Sequence, residues 1–498
     1  MRKAMRACIT GARTTWFVLA AGIFTAGCAV GPNYKRPSAP STAKWDVAEP
    51  WRESAPKDSL PKGQWWTIFH DQDLDTLETQ ALSANQTLKI SIAHLEQARA
   101  VAAIQVSTLF PTLSTSPTAE RQRFSGNRPT NGIPVTLRPA TQNTFVVPFT
   151  VSYEVDLFGR RRRSIEAAEA AYQANAADVE NVRLLVTAQL AGDYFNLREL
   201  DSELKILTGT VEALQKGLDL VNSRHKGGVA SGLDVAQEET LLNTTRTQAI
   251  LLQQQRKLFE DAIATLVGQP APDFHIASRV LIAEPPSLDA GLPSDLLERR
   301  PDIAEAERQM AVANAQIGVA QAAYYPALNI FGQGGWQAAD IAKLANAGSA
   351  FWALGANVAQ GIFTGGARRA QVQFARGGYD ANVAFYRQTV LSAFQEVQDE
   401  ITGLTVLIQA QQSQQQAVDA ARRTLDISTS RYSGGLVSYL DVVTAQRDLL
   451  ADQQQLAVIQ GQRLVSSVLL VKALGGGWDA SSLAAVRVGP KLKDIVAP

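Results

Sequence analysis

Cysteine is almost missing from this chain: two in 498 residues, at positions 8 and 28. That excludes a disulfide framework and a four-cysteine zinc site. Histidine is nearly as scarce, with four residues scattered at 70, 94, 225 and 275. No HExxH, G-x-S-x-G or GxxxxGK(S/T) pattern occurs, so no enzyme signature is present. Gly332-Gln-Gly-Gly335 sits in a strand pattern without βαβ context and is not a dinucleotide fingerprint. Charge of one sign is missing too: 47 Lys and Arg balance 47 Asp and Glu. There is therefore no basic footprint for nucleic acid. Beyond the N-terminus no run of 18 apolar residues occurs, so any membrane crossing must use strands. Proline is absent from Gly159 to Lys226. The hydrophobic share, 46%, is that of a folded chain. The length allows about two to four domains.

The N-terminus sets the compartment. Arg2, Lys3, Arg6 and Arg13 form a positive region, and Trp16 to Ala26 is a short apolar core. That is a signal peptide over 1–27, too short for a span of roughly 20 residues. Thr25-Ala26-Gly27-Cys28 follows and resembles a bacterial lipobox. Cys28 is the expected lipidation site, and a covalent lipid there (palmitate among its acyl chains) is the one non-protein group expected. Ala29 follows the cysteine and offers no aspartate for inner-membrane retention, so the outer membrane is the expected destination. An anchor of this kind holds a protein on a membrane without crossing it.

The chain repeats itself. At an offset of 207, Arg224-His-Lys-Gly-Gly-Val-Ala-Ser-Gly-Leu-Asp-Val235 aligns with Arg431-Tyr-Ser-Gly-Gly-Leu-Val-Ser-Tyr-Leu-Asp-Val442. Upstream the offset becomes 215, pairing Pro111 with Pro326 and Leu113 with Leu328. The eight extra residues of the first copy fall between these blocks. Each copy reads as helix, hairpin, helix, helix.

The hairpins carry the strand signal. Phe145, Val147, Phe149, Val151, Tyr153 and Val155 alternate with mainly polar residues. Trp352, Leu354, Ala356, Val358, Gln360 and Ile362 mostly keep that phase. Period 2 with one apolar face fits a half-buried strand or a membrane barrel strand. Weaker strands are expected from Pro111 and from Pro326, with loops at 125–143 and 339–349. Pro148 predicts a bulge or irregularity.

The helices are long. The proline-free stretch is a rod of roughly 100 Å at 1.5 Å per residue. Leu197, Leu204, Val211 and Leu218 form one heptad column; Leu200, Leu207, Leu214 and Val221 form the other. The second copy has Gln411, Gln414 and Ser428 in its columns, a more polar seam. Gly227, Gly228, Gly434 and Gly435 are the expected tip turns. Helices of about 35 residues then return to Gly268 and Gly475, with Ser231 and Ser438 as caps. Two hairpins supply only four strands, whereas a barrel needs about eight or more. Either the strands lie outside the membrane or several chains share one barrel.

Specific motifs now converge. Leu292-Pro-Ser-Asp-Leu-Leu-Glu-Arg-Arg-Pro-Asp-Ile303 with Glu305 resembles a hallmark of the NodT-type outer-membrane efflux lipoproteins, a TolC-like family. Cys28 to Pro37, Tyr153 to Arg160 and Ile362 to Arg368 also resemble segments of that family. The resemblance runs from Cys28 to about Gly477. It implies a fold mainly α with a transmembrane β part: a twelve-stranded barrel plus an α-helical tunnel, formed by a homotrimer. The expected organisation is a signal peptide at 1–27 and a lipidated segment and waist at 28–70. A first repeat at 71–268 holds a hairpin at 111–157 and a coiled hairpin at 159–268. A linker at 269–293 leads to a second repeat at 294–475, with hairpin 326–363 and coiled hairpin 365–475. A waist segment at 476–498 closes the chain.

The resemblance also implies partners and site residues. The helical tips would meet a periplasmic adaptor, with an inner-membrane pump of the RND type behind it. The expected role is a passive conduit for drugs or other toxic small molecules. Asp441 matches an aspartate ring that narrows the pore; the plainer reading is a helix-terminal acid. Asp234 and Tyr432 match positions that link the two coiled hairpins. The family's second ring acid falls at Thr444 and its basic latch at Val437, so the latch here is expected to be weaker or built differently. Arg160 to Arg163 is expected to meet headgroups or neighbouring helices. Trp65, Trp66, Phe69 and His70 read as waist packing. Two alternatives stay open: the outer-membrane conduit of a type I protein secretion system, and a lipid-anchored coiled-coil scaffold without a pore.

Overall fold

The computed structural model describes residues 29–40, 63–126, 139–281, 284–286, 299–478 and 483. The signal peptide, Cys28, the first seven residues of the Leu292–Ile303 motif and nearly all of 479–498 lie outside the described residues.

The repeat is visible in the element bounds. Helix α1 (Gln72–Ala84) precedes the first unit, which comprises α2 (Gln86–Ser107), β1 (Thr112–Thr115), β2 (Thr118–Phe124), β3 (Ala140–Val155), α3 (Arg160–Lys226) and α4 (Gly232–Leu266). The second comprises α5 (Pro301–Ala322), β4 (Ala327–Ala338), β5 (Ala350–Ala359), α6 (Ala367–Ser433) and α7 (Tyr439–Ala473). Helices α3 and α6 have 67 residues each, and α4 and α7 have 35 each. One sequence unit has folded twice. The extra residues of the first copy lie in its hairpin, where β3 has 16 residues against 10 in β5.

The strands form one antiparallel sheet. β1 and β2 both pair with β3, β3 pairs with β4, and β4 with β5. The edges, β1–β2 on one side and β5 on the other, have no partner strand among the described residues. The odd-numbered residues of β3 form the apolar face. Large side chains on it meet small ones across the ladder: Phe149 faces Gly334, which faces Trp352, and Val151 faces Gly332, which faces Leu354. Trp352 and Leu354 are 82% and 75% exposed, an apolar surface turned outward. Pro148 does not bulge its own strand. The register with β4 runs unbroken from Phe145↔Ala338 to Val155↔Leu328. The irregularity falls on the opposite strand: Ser116 and Pro117, across from Pro148 and Val147, separate β1 from β2. Proline has no N–H to give, so the ladder stops there. β5 also ends before Gln360 and Ile362, which lie beyond the strand.

The helices form a wall one layer thick. Next to the sheet its order is α2, α3, α5, α6; toward the tips it is α4, α3, α7, α6. Only α3 and α6 run the full length. The column Leu200, Leu207, Leu214 and Val221 is buried, and Leu204, Val211 and Leu218 are half-buried beside it. The polar seam of the second copy is bonded: the Gln414 side-chain amide donates to the Asp452 backbone and side-chain oxygens, and Arg463 donates to Gln411. The main core lies at the waist, where Trp65, Trp66, Phe69 and Leu74 pack against Tyr194, Phe195, Ile263 and Val471. Helix α7 is long and apolar enough by composition to cross a membrane, yet half of that apolar window is packed inside the wall.

Candidate functional site

Three regions gather the residues that the motifs single out. The first is the tip. Each long helix ends on a glycine pair, and only the second glycine is left-handed: Gly228 at φ +76° and Gly435 at +72°. The Val229 N–H then donates to Arg224 O, and the Leu436 N–H to Arg431 O, each at 2.9 Å. This wrap satisfies helix-end carbonyls where only glycine adopts the turn without strain. The returning helices are capped the same way. Ser231 and Asp234 exchange bonds, with the Ser231 N–H donating to Asp234 Oδ2 at 3.1 Å. Ser438 donates from its N–H and its hydroxyl to Asp441 Oδ2, at 3.0 and 2.7 Å. Asp441 is thus an exposed first-turn acid on α7.

Tyr432 is half-buried between the hairpins. The Arg224 guanidinium of α3 lies 4.8 Å from its ring centre, and the Tyr439 ring lies 4.9 Å away. Asp234 acts on Tyr432 through space, but the Tyr432 hydroxyl makes no hydrogen bond. Burial is the largest influence raising the Tyr432 pKa. A basic residue therefore does reach Tyr432, from α3 rather than from position 437. Sequence reasoning missed Arg224 and Tyr439, and also Gly217 and Glu238, which pack beside them. At the 207 offset these last three face Gly232, Thr424 and Ala445. Departures from the repeat were the signal that could have found them.

The second region is the strand-to-helix junction. The four-arginine run is paired inward. Arg160 and Arg161 bind Glu154, and Arg162 binds Asp156. Arg163, only 4% exposed, reaches Val30 O, Gly31 O and Asn33 Oδ1 at 3.2, 3.1 and 2.9 Å. It holds an N-terminal strap. The Val30 N–H donates to Phe158 O at 3.0 Å, and Gly31, at φ +104°, packs on Gly318 of α5. The strap continues through Tyr34, bonded to Glu307, and Arg36, bonded to the Tyr386 hydroxyl. Ala29 rests on Gly159, where the sheet becomes helix.

The hallmark motif is a clamp at the waist. Arg300 binds Asp302 through two nitrogens at 3.0 and 2.7 Å, Glu396 at 2.8 Å and Ala473 O at 3.0 Å. It ties the start of α5 to α6 and to the end of α7. Burial, with Asp178 and Asp302 adding to it, pushes the nearby Glu305 pKa up to about 7.

A sequence model described as outer membrane efflux protein matches residues 77–269 and 292–476. The probable efflux pump outer membrane protein SepC of Pseudomonas putida F1 is 32% identical over 475 residues, covering 94% of this chain and 98% of its own. The pyoverdine export outer membrane protein OpmQ of Pseudomonas aeruginosa is 33% identical over 451 residues, covering 89% and 94%. The solved structure of the outer-membrane channel OprN superposes with a TM-score of 0.83 at 28% identity, covering 91% of this chain and all of that one.

Proposed function

The chain belongs to the outer membrane efflux protein family, and on that premise we propose that it acts as a lipid-anchored homotrimer, an open conduit wall completed by two further copies. It is the outer-membrane channel component of a tripartite efflux system, with a TolC-like fold and a periplasmic helical part. The proposed cargo is small organic compounds, as the toluene, antibiotic and pyoverdine systems named for its relatives suggest.

The observation that carries the trimer is an unfinished edge. Among the described residues the sheet offers four strand positions and two open sides. Unpaired backbone groups in lipid cost several kcal/mol each (roughly), so the sheet must close. The helical wall is open on the same sides, and its edge helices are apolar. Ile90, Val101 and Ile104 on α2 and Leu251 and Leu258 on α4 are exposed, as are Phe374 and Phe385 on α6. Three copies make a twelve-stranded barrel and a continuous tunnel.

The strap supports lipidation at Cys28. Ala29, the residue that follows Cys28 in the sequence, rests on Gly159, where the sheet becomes helix, which suits a lipid anchor at that level. The tips carry Val229, Leu233, Leu436 and Leu440, exposed and paired by the repeat, a fit for the apolar tip of a periplasmic adaptor. An inner-membrane pump of the RND type would stand behind that adaptor. Asp441, exposed at the tip, suits a carboxylate ring at the pore mouth. The test is a strain lacking this protein. Wild-type chain should restore resistance to toxic organic compounds. A chain with Leu233→Glu and Leu436→Glu should assemble in the membrane yet fail to restore it. Equal rescue by both would remove the tips as the docking site, and no rescue by the wild type would contradict the efflux role.

A further inference from the structure

Glu238 stands where a charge is least expected. It lies on α4, one turn after Asp234, and is 0% exposed. Its surroundings are the apolar tip cluster of Leu214, Val221, Leu242, Val442 and Val443, contributed by both hairpins. The carboxyl group rests on Gly217 of α3, and any side chain there would collide with it. Across from it is the hydroxyl of Tyr439, from α7 of the other hairpin, 3.7 Å from where a Gly217 Cβ would stand. Neither carboxyl oxygen makes a well-formed hydrogen bond. Of the tip's other titratable groups, Arg224 lies on the Tyr432 ring, Asp234 and Asp441 sit in their caps with Ser231 and Ser438, and the His225 ring bonds Ala230 O, while Lys226 and Arg431 stand on the exposed ends of α3 and α6. Three elements are therefore shaped around one buried acid with no charged partner, only the Tyr439 hydroxyl facing it, and none of the three residues has its like in the other repeat.

We propose that Glu238, seated on Gly217 and facing Tyr439, is a proton-operated latch between the two helical hairpins of each protomer. The neutral carboxyl is compatible with the apolar seam, and the hairpins stay packed. Ionisation sends the proton to solvent and leaves a carboxylate among leucines and valines. An unpaired charge there is expensive unless water enters. Water enters only if α6–α7 moves away from α3–α4 at the tip, which widens the mouth. The direction is set by linkage: the packed tip binds the proton more tightly than the separated one, so packing weakens as pH rises. Burial raises the Glu238 pKa and the Tyr439 hydroxyl opposes that rise, so losing the hydroxyl shifts the transition upward. The widening of a mouth rests on the conduit reading; the hairpin separation itself does not.

The test uses the full acylated protein in detergent, with nitroxides at Lys226→Cys and Ser433→Cys on one protomer, diluted with unlabelled chains. Pulsed electron resonance reads the distance between the ends of α3 and α6 from about pH 5 to about pH 9. The distance should lengthen as pH rises. Glu238→Gln should hold the acid-side distance throughout, and Tyr439→Phe should move the midpoint to higher pH. A distance that ignores pH, or that follows pH equally in Glu238→Gln, overturns the latch. Should Glu238→Gln not fold, an unmoved midpoint in Tyr439→Phe overturns it. The native mass of the same sample tests the trimer separately, so the two failures are told apart.

Discussion

At Gly335 the chain has no room for a side chain. A Cβ there would press on Val147 O and stand 3.0 Å from Pro148 Cα. Two awkward residues thus share one rung: proline withholds its N–H, and glycine lets the strands close over it. Gly335→Ala should destabilise the folded sheet by about 1–3 kcal/mol, the usual range for overpacking. The check is the urea midpoint of the extracted protein, which should fall against wild type. The proline was legible in the sequence, but its effect was not. Sequence placed the disturbance on the strand that holds Pro148, whereas pairing moved it to Ser116 and Pro117. A second residue-scale case is Glu199 of α3, whose carboxyl packs against Gly461 of α7. Burial first, and Glu203 second, push its pKa up to about 7. The folded state then holds a proton that an exposed glutamate releases. Stability from this site is lost as pH rises from the ordinary carboxyl range to about 7 and is flat above it. Glu199→Gln should remove that decline in melting temperature, and an unchanged pH profile would refute it.

Elements were the most legible scale. A 207-residue offset, a proline-free stretch and two glycine pairs were enough to locate both long helices and both returns. The reason is local: helix ends are written in glycine, serine and proline near the end itself. The strap at 29–40 was not legible, because its partners lie far along the chain. Nothing near Val30 announces Arg163, 133 residues away. The arginine run was visible, and sequence sent it toward headgroups or neighbouring helices, whereas in the structure carboxylates at the end of β3 and the strap's carbonyls take it up. Arg163→Ala should therefore free the strap, with a loss of roughly 2–3 kcal/mol from its charge-assisted bonds. Limited trypsin digestion should cut after Lys35 faster in this variant than in wild type. Arg162→Ala, which removes the ion pair with Asp156, should digest like wild type.

The whole molecule is half a statement of its own structure. One chain makes a wall with apolar edges, and the edges name their partner only by geometry. Four strand positions could be counted in the sequence, and the need for closure followed from them. The edge helices could not be told from the inner ones, because all carry apolar stripes. In the structure α5 buries its stripe and α3 and α7 bury most of theirs, leaving Leu185, Leu220, Leu440 and Leu469 exposed, whereas α2, α4 and α6 leave more large residues exposed. Placing Glu at both Ile104 and Phe385 should weaken assembly without unfolding the chain, read as helical circular dichroism kept while the oligomer dissociates. The mass of the gently extracted wild-type protein, measured by native mass spectrometry, tests the shared barrel most directly. The shared barrel predicts three chains, each with the lipid proposed at Cys28. A stable single chain would leave four strands with no way to close, and would contradict it.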